Sequence, residues 1–128
     1  MKEQDIAAIY SFCRYAPLGR GPTEFDCWGL VLDVRRRLGL PLPLDPMQAA
    51  RRPGEMRAIV GRHLSAGDWR PAEPAAGAIA MFPSLARCLH AGVWISGGVL
   101  DFSQMAGLRW RSAATVESLK MELIEWAR

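Results

Sequence analysis

The stretch that most restricts the fold is C-L-H-A-G-V-W-I-S-G-G-V-L-D-F-S, residues 88 to 103. Two strand-length apolar runs flank a Ser-Gly-Gly break, which is a β-hairpin signal. With Gly97 and Gly98 as the two central turn residues, Ser96 pairs with Val99, Trp94 with Asp101 and Gly92 with Ser103. Cross-strand partners point to one side. His90, Gly92, Trp94, Asp101 and Ser103 then share a face, with Ala91, Val93 and Ile95 on the other. A register slip of one residue would instead set Leu100 and Phe102 beside His90, so the inference depends on the turn. In the predicted register the imidazole has an acid or a hydroxyl close enough to orient it.

The rest of the chain supplies the partner layer for that hairpin. At 128 residues and 14.2 kDa it suits one domain, residues 1–128, with a real core. Half of the residues are apolar and the mean hydropathy is +0.01, a globular composition. Helical spacing of Ile6, Ala7, Ile9, Tyr10 and Cys13 predicts a first helix over 3–14. Y-A-P-L-G-R-G-P-T, 15–23, reads as an ordered loop. From Cys27 to about Leu38, the residues Leu30, Val31, Val34 and Leu38 form one apolar helix face, with Asp26 as N-cap and Gly39 as stop. Residues 47–65 read as one or two surface helices broken near Pro53-Gly54, and W-R-P-A-E-P-A-A-G, 69–77, as a Pro-rich link. Strands are predicted at 78–82 and 108–111, and 121–127 reads as either a helix or a final strand, the strand being preferred. Helices first and an antiparallel meander afterwards define an α+β fold.

Charge and residue inventory narrow the function. The net charge of +3 and pI near 9.1 are mild. Arg35-Arg36-Arg37 and Arg51-Arg52 are short runs without interleaved aromatics, read as a solvated helix face and a loop rather than a nucleic-acid surface. No apolar run approaches the ~20 residues that span a bilayer. M-K-E-Q-D-I carries two acids before its first apolar residue, so no signal peptide is visible and synthesis is expected in the cytoplasm. Cys13, Cys27 and Cys88 are widely spaced with no C-x-x-C, so neither a metal, a cofactor nor a disulfide framework is expected.

Cys27 could be a buried space-filler or a nucleophile. Opening a helix, its thiolate would be stabilised by the dipole and by N–H groups that could also hold an oxyanion. Cys13 and Cys88 lack that setting and read as small hydrophobes. His63, on an amphipathic helix without an acid pattern, reads as a surface residue. Tyr15 is either a core residue with its hydroxyl at the rim or a donor aimed at the thiol. Trp28, Trp69, Trp94 and Trp110 read as packing groups.

F-D-C-W-G-L-V resembles the nucleophile motif of the NlpC-type cell-wall peptidases, a papain-like family with an aromatic-Asp-Cys-small-Gly-Leu-Val block at the start of its central helix. Three further features follow in the same order. Tyr15 stands twelve residues before Cys27, A-A-G-A-I-A-M-F resembles the Pro-Gly-Asp-apolar strand with Ala78 for the Asp, and H-A-G-V-W-I resembles the strand carrying the family's catalytic base. The match runs from about residue 5 to 104. The resemblance implies a papain-like α+β fold with the nucleophile at a helix N-terminus on an antiparallel meander. It implies Cys27 as nucleophile, His90 as general base and acid, and Tyr15 as a donor near the oxyanion. G-G-V-L-D-F resembles a phage-type G-G-V-L-His block, which makes Asp101 the orienting residue, with Ser103 as the alternative.

Trp28 stands where the family usually has Ser, a feature of the phage-encoded subgroup, and the hairpin is shorter by a residue or more. The implied substrate is a peptidoglycan stem peptide, cut between γ-D-glutamyl and a diamino acid. A phage tail protein would be the delivery partner and the virion its carrier to the cell wall. Two other readings stay open: a non-enzymatic part of a tail tip, and a thiol acyltransferase or deamidase on the same fold.

Overall fold

The structure is a computed structural model that describes residues 2–43, 45, 55–82 and 90–126. Cys88, Arg51-Arg52 and the helix break expected near Pro53-Gly54 lie outside the described residues. Helix α1, Glu3–Ile9, runs into a 3₁₀ turn over Tyr10–Phe12. Strands β1, Arg14–Tyr15, and β2, Glu24–Phe25, form a small parallel pair around the 16–23 loop. Helices α2, Cys27–Arg37, and α3, Glu55–Ser65, follow. The other strands are β3, Trp69–Pro71; β4, Ile79–Phe82; β5, His90–Ile95; β6, Gly98–Ser103; β7, Gly107–Ser112; and β8, Glu122–Trp126, with helix α4, Ala113–Ser118, between the last two. Six of them form an antiparallel sheet in the order β3-β8-β4-β5-β6-β7. The expected mixture of helix and antiparallel sheet is present.

Two features differ from the simple meander. Only β4 to β7 run in meander order; β8 returns to the other edge beside β4, and β3 lies outside it. The stretch read as a Pro-rich link therefore contains a strand. Trp69 drives it, since its indole is 2 % exposed and stacks on Trp28 with centroids 5.7 Å apart. Pro71 is tolerated because β3 is an edge strand, where a missing N–H need not face a neighbour. Helix α4 was not expected at all. Ser112 caps it by accepting from the Thr115 N–H, and Val116 buries against the sheet.

The sheet separates two apolar layers. Ile79, Met81, Ala91, Val93, Ile95, Leu100, Phe102 and Ile124 belong to the main core with α1 and α2. Ala78, Ala80, Trp94 and Val99 form a smaller core with Val116. In α2, Leu30, Val31 and Val34 are fully buried, each contributing about 1.5–3 kcal/mol of apolar transfer free energy. The helix begins at Asp26, whose carboxylate accepts from the Gly29 N–H at 2.8 Å. It ends as expected at Gly39: the Gly39 N–H donates to Arg36 O and the Leu40 N–H to Arg35 O, a Schellman closure.

The arginine run is not one solvated face. Arg35 is fully buried, donating to the Pro41 and Gly77 carbonyls and pairing with Glu125 at 2.7 Å. It ties β8 and the turn before β4 to α2. Arg36 and Arg37 pair with Asp33, which also accepts the Tyr10 hydroxyl at 2.6 Å.

Candidate active site

Cys27 is the first residue of α2 and is buried, 6 % exposed, beneath a loop that folds back over the helix start. Asp26 organises that loop. Besides capping Gly29, its carboxylate accepts from the Leu18 N–H at 3.1 Å and from Arg20 Nη1 at 2.6 Å. Arg20 is tied in turn to Asp45 at 2.7 Å. The approach is so close that a Cβ on Gly29 would stand 2.0 Å from the Gly19 carbonyl oxygen. The D-C-x-G spacing thus has a steric meaning: the Asp caps, the Gly admits the loop, and the Cys between them sits on the positive end of the helix dipole.

Tyr15 reaches this region through β1, where it stands in register with Phe25, and its ring lies 6.5 Å from that of Phe102. Burial raises its pKa above the ordinary tyrosine value, and the charges of Cys27 and Asp26 raise it further. The phenol therefore stays protonated, a donor within electrostatic reach of Cys27.

His90 is the first residue of β5, in register with Phe82 of β4. Its Nε2 lies 2.8 Å from Asp101 Oδ2. A carboxylate only accepts, so Nε2 carries the proton and Nδ1 is the nitrogen able to take one up. The imidazole is 23 % exposed and Asp101 not at all. The Phe82 ring packs 5.2 Å from the imidazole. Ser103 is not part of this pair; its Oγ accepts from the Ala106 N–H in the β6–β7 turn.

The hairpin register differs from the expected one, yet the shared face survives. Val93 pairs with Leu100, Trp94 with Val99 and Ile95 with Gly98, so Ser96 and Gly97 are the turn residues. Both have positive φ, 54° and 77°, as a type I′ turn requires. Gly98 opens β6, where a Cβ would stand 2.2 Å from the Arg111 carbonyl oxygen and 2.6 Å from the Trp110 ring. Trp94 therefore faces Val99 rather than Asp101. The shift moves each partner by two residues, which preserves alternation and leaves His90 and Asp101 on one side.

Sequence reasoning missed three groups around this pair. Arg111 Nη1 lies 3.2 Å from Asp101 Oδ2, and Arg109 Nη2 lies 3.6 Å from it. Arg111 also covers the Phe82 ring at 4.8 Å. Alternation in L-R-W-R signals that the two arginines share a face, but not which residue they meet.

Two other expectations change. His63 is not a free surface residue: its Nδ1 lies 2.7 Å from Asp68, and its ring stacks on Trp69. Cys13 is half-buried, burial raises its thiol pKa, and it stays in the non-nucleophilic class. Among the described residues, no three His, Cys, Asp or Glu side chains gather to hold a metal ion, and no helix is long and apolar enough to cross a membrane.

Compared with known proteins, the chain matches no protein-family model and no curated protein.

Proposed function

We propose that the chain is a papain-like cysteine amidohydrolase of the NlpC type, with Cys27 as nucleophile and His90 as general base and acid. The observation that carries this reading is the 2.8 Å His90–Asp101 hydrogen bond on strands packed against the helix that Cys27 opens. An imidazole held by a buried acid and a thiol on a helix N-terminus are the two halves of thiol catalysis.

In the proposed cycle the Cys27 thiolate adds to the amide carbon while His90 holds the proton. Backbone N–H groups of the first turn of α2 and the Tyr15 hydroxyl stabilise the oxyanion. His90 protonates the leaving amine as the C–N bond breaks, giving a thioester and free amine. Water, deprotonated by His90, then attacks the thioester, releasing the acid and regenerating the thiol. The substrate of this reading is a peptidoglycan stem peptide cut between γ-D-glutamyl and a diamino acid, with a phage tail protein as the delivery partner.

The test is mass spectrometry of purified muropeptides treated with the wild-type chain and with Cys27→Ala, alongside the rate of Cys27 alkylation by iodoacetamide at neutral pH. Cleavage at the glutamyl–diamino acid bond, lost in the mutant, is expected. Intact muropeptides with a folded protein whose Cys27 alkylates slowly would replace this reading with a structural role in a tail tip.

A further inference from the structure

The charged groups described around His90 come from two strands: Asp101 on β6, and Arg109 and Arg111 on β7. Asp101 is fully buried, and a buried carboxylate needs charge compensation. Among the described residues its Oδ1 has no hydrogen-bond partner, and its contacts converge on Oδ2. There it accepts from His90 Nε2 at 2.8 Å and from Arg111 Nη1 at 3.2 Å, with Arg109 more distant at 3.6 Å. The two arginines differ in more than distance. The Arg111 side chain is 17 % exposed against 44 % for Arg109, and Arg111 lies over an aromatic face, that of Phe82. Phe82 in turn is the cross-strand partner of His90 and packs on its ring. Arg111 thus touches Asp101 and Phe82, two of the groups packed on the imidazole, one by a charge-assisted hydrogen bond and one by a cation–π contact.

We infer that Arg111 is a positioning residue for the His90–Asp101 pair, a role that rests on the proposed thiol chemistry. Its guanidinium anchors the Asp101 carboxylate so that Oδ2 stays directed at Nε2, and through Phe82 it closes the imidazole from the side. The consequence is a single His90 tautomer, protonated at Nε2, with Nδ1 presented for proton transfer. Losing this anchor would leave the carboxylate free to turn its unpartnered Oδ1 inward, and the imidazole would sample both tautomers. Lysine retains the charge but not the flat face or the fork, so it should restore only part of the effect.

The experiment uses Arg111→Met and Arg111→Lys in the full chain. ¹⁵N–¹H correlation of the His90 ring reports the tautomer at mildly alkaline pH, and turnover on muropeptides is measured in parallel. Wild type is expected to show Nε2–H alone. Arg111→Met is expected to show a tautomer mixture and a kcat lowered on the order of tenfold with KM unchanged, and Arg111→Lys an intermediate state of both. If wild type cleaves nothing, the functional reading falls and the ring signals alone decide the role of Arg111. Ring signals in Arg111→Met identical to wild type overturn the inference, whatever the turnover. Should Arg111→Met fail to fold, Arg111→Lys decides: wild-type ring signals in it overturn the inference and a shifted tautomer ratio supports it.

Discussion

Two helical glycines make opposite predictions. Gly29, in the first turn of α2, and Gly61, in α3, are both helix-interior positions where alanine is favoured by up to about 1 kcal/mol on propensity alone. Around Gly61 a Cβ would meet nothing within 4 Å, so Gly61→Ala should stabilise the protein by roughly 0.5–1 kcal/mol. At Gly29 the same methyl would stand 2.0 Å from the Gly19 oxygen, where real Cβ contacts do not fall below 3.0 Å. A gap of about 1 Å must therefore open between the loop and the helix. Backbone oxygen cannot swing aside as a long side chain would, and overpacking of this kind costs about 1–3 kcal/mol. The displaced loop also strains the Leu18 and Arg20 hydrogen bonds to Asp26, each worth about 1 kcal/mol. Net of the propensity gain, Gly29→Ala should destabilise by about 2 kcal/mol. Urea unfolding followed by circular dichroism reads both variants. A Gly29→Ala protein as stable as wild type would refute the claim that the loop rests on the helix start.

Three further outcomes follow from the same structure. Arg35→Leu strips the Pro41 and Gly77 carbonyls and the Glu125 carboxylate of their buried partner and should cost about 3 kcal/mol; a urea midpoint equivalent to less than about 1 kcal/mol would show the arginine to be dispensable. The chain has two tyrosines, and burial is the first cause that raises the pKa of each. As pH rises above the ordinary value of 10.0, the unfolded chain releases phenol protons that the folded chain still holds, so stability falls with pH in that window. Ultraviolet titration of Tyr10→Phe and Tyr15→Phe isolates each phenol, and a phenolate midpoint at or below 10.0 in the folded protein would contradict the burial argument. In the hairpin, Gly97→Asn keeps a residue that tolerates positive φ and should cost well under about 1 kcal/mol, whereas Gly98→Ala drives a Cβ into the Arg111 carbonyl oxygen and the Trp110 ring and should cost about 2 kcal/mol; the reverse order would restore Gly97-Gly98 as the turn.

Features written in neighbouring residues were legible in the sequence. Helix α2 carries its cap, its apolar face and its stop within fourteen residues, Asp26 to Gly39, and all three are where the pattern puts them. M-E-L-I-E-W-A reads as either helix or strand; the preferred strand is the one found, as β8, although its place beside β4 was not legible. What escaped depends on partners distant in the chain. Trp69 makes a strand of a Pro-rich stretch only because Trp28 and Trp126 receive it. Arg35 looks like its exposed neighbours until Gly77 and Glu125 close around it. His63 looks solitary because its acid, Asp68, stands beyond the end of its helix. A local pattern holds no record of such contacts.

The hairpin shows how a wrong register can still place a site. Ser-Gly-Gly offers two overlapping two-residue turns, and Gly-Gly is the more permissive on backbone grounds alone. In the structure Gly98 lies in β6 and Ser96 takes the positive φ. The neighbouring strand β7 leaves no room for a side chain at Gly98, where a Cβ would stand 2.2 Å from the Arg111 carbonyl oxygen and 2.6 Å from the Trp110 ring. Moving the turn back by one residue changes every cross-strand partner by two, and two is the period of a strand. The face containing His90 and Asp101 is therefore insensitive to the error, while the identity of the residue opposite each is not. Face membership depends only on parity, whereas the 2.8 Å contact depends on both parity and register. The sequence prefers Asp101 and keeps Ser103 as the alternative; the hydrogen bonds separate them, Asp101 lying against the imidazole and Ser103 accepting within its own β-turn.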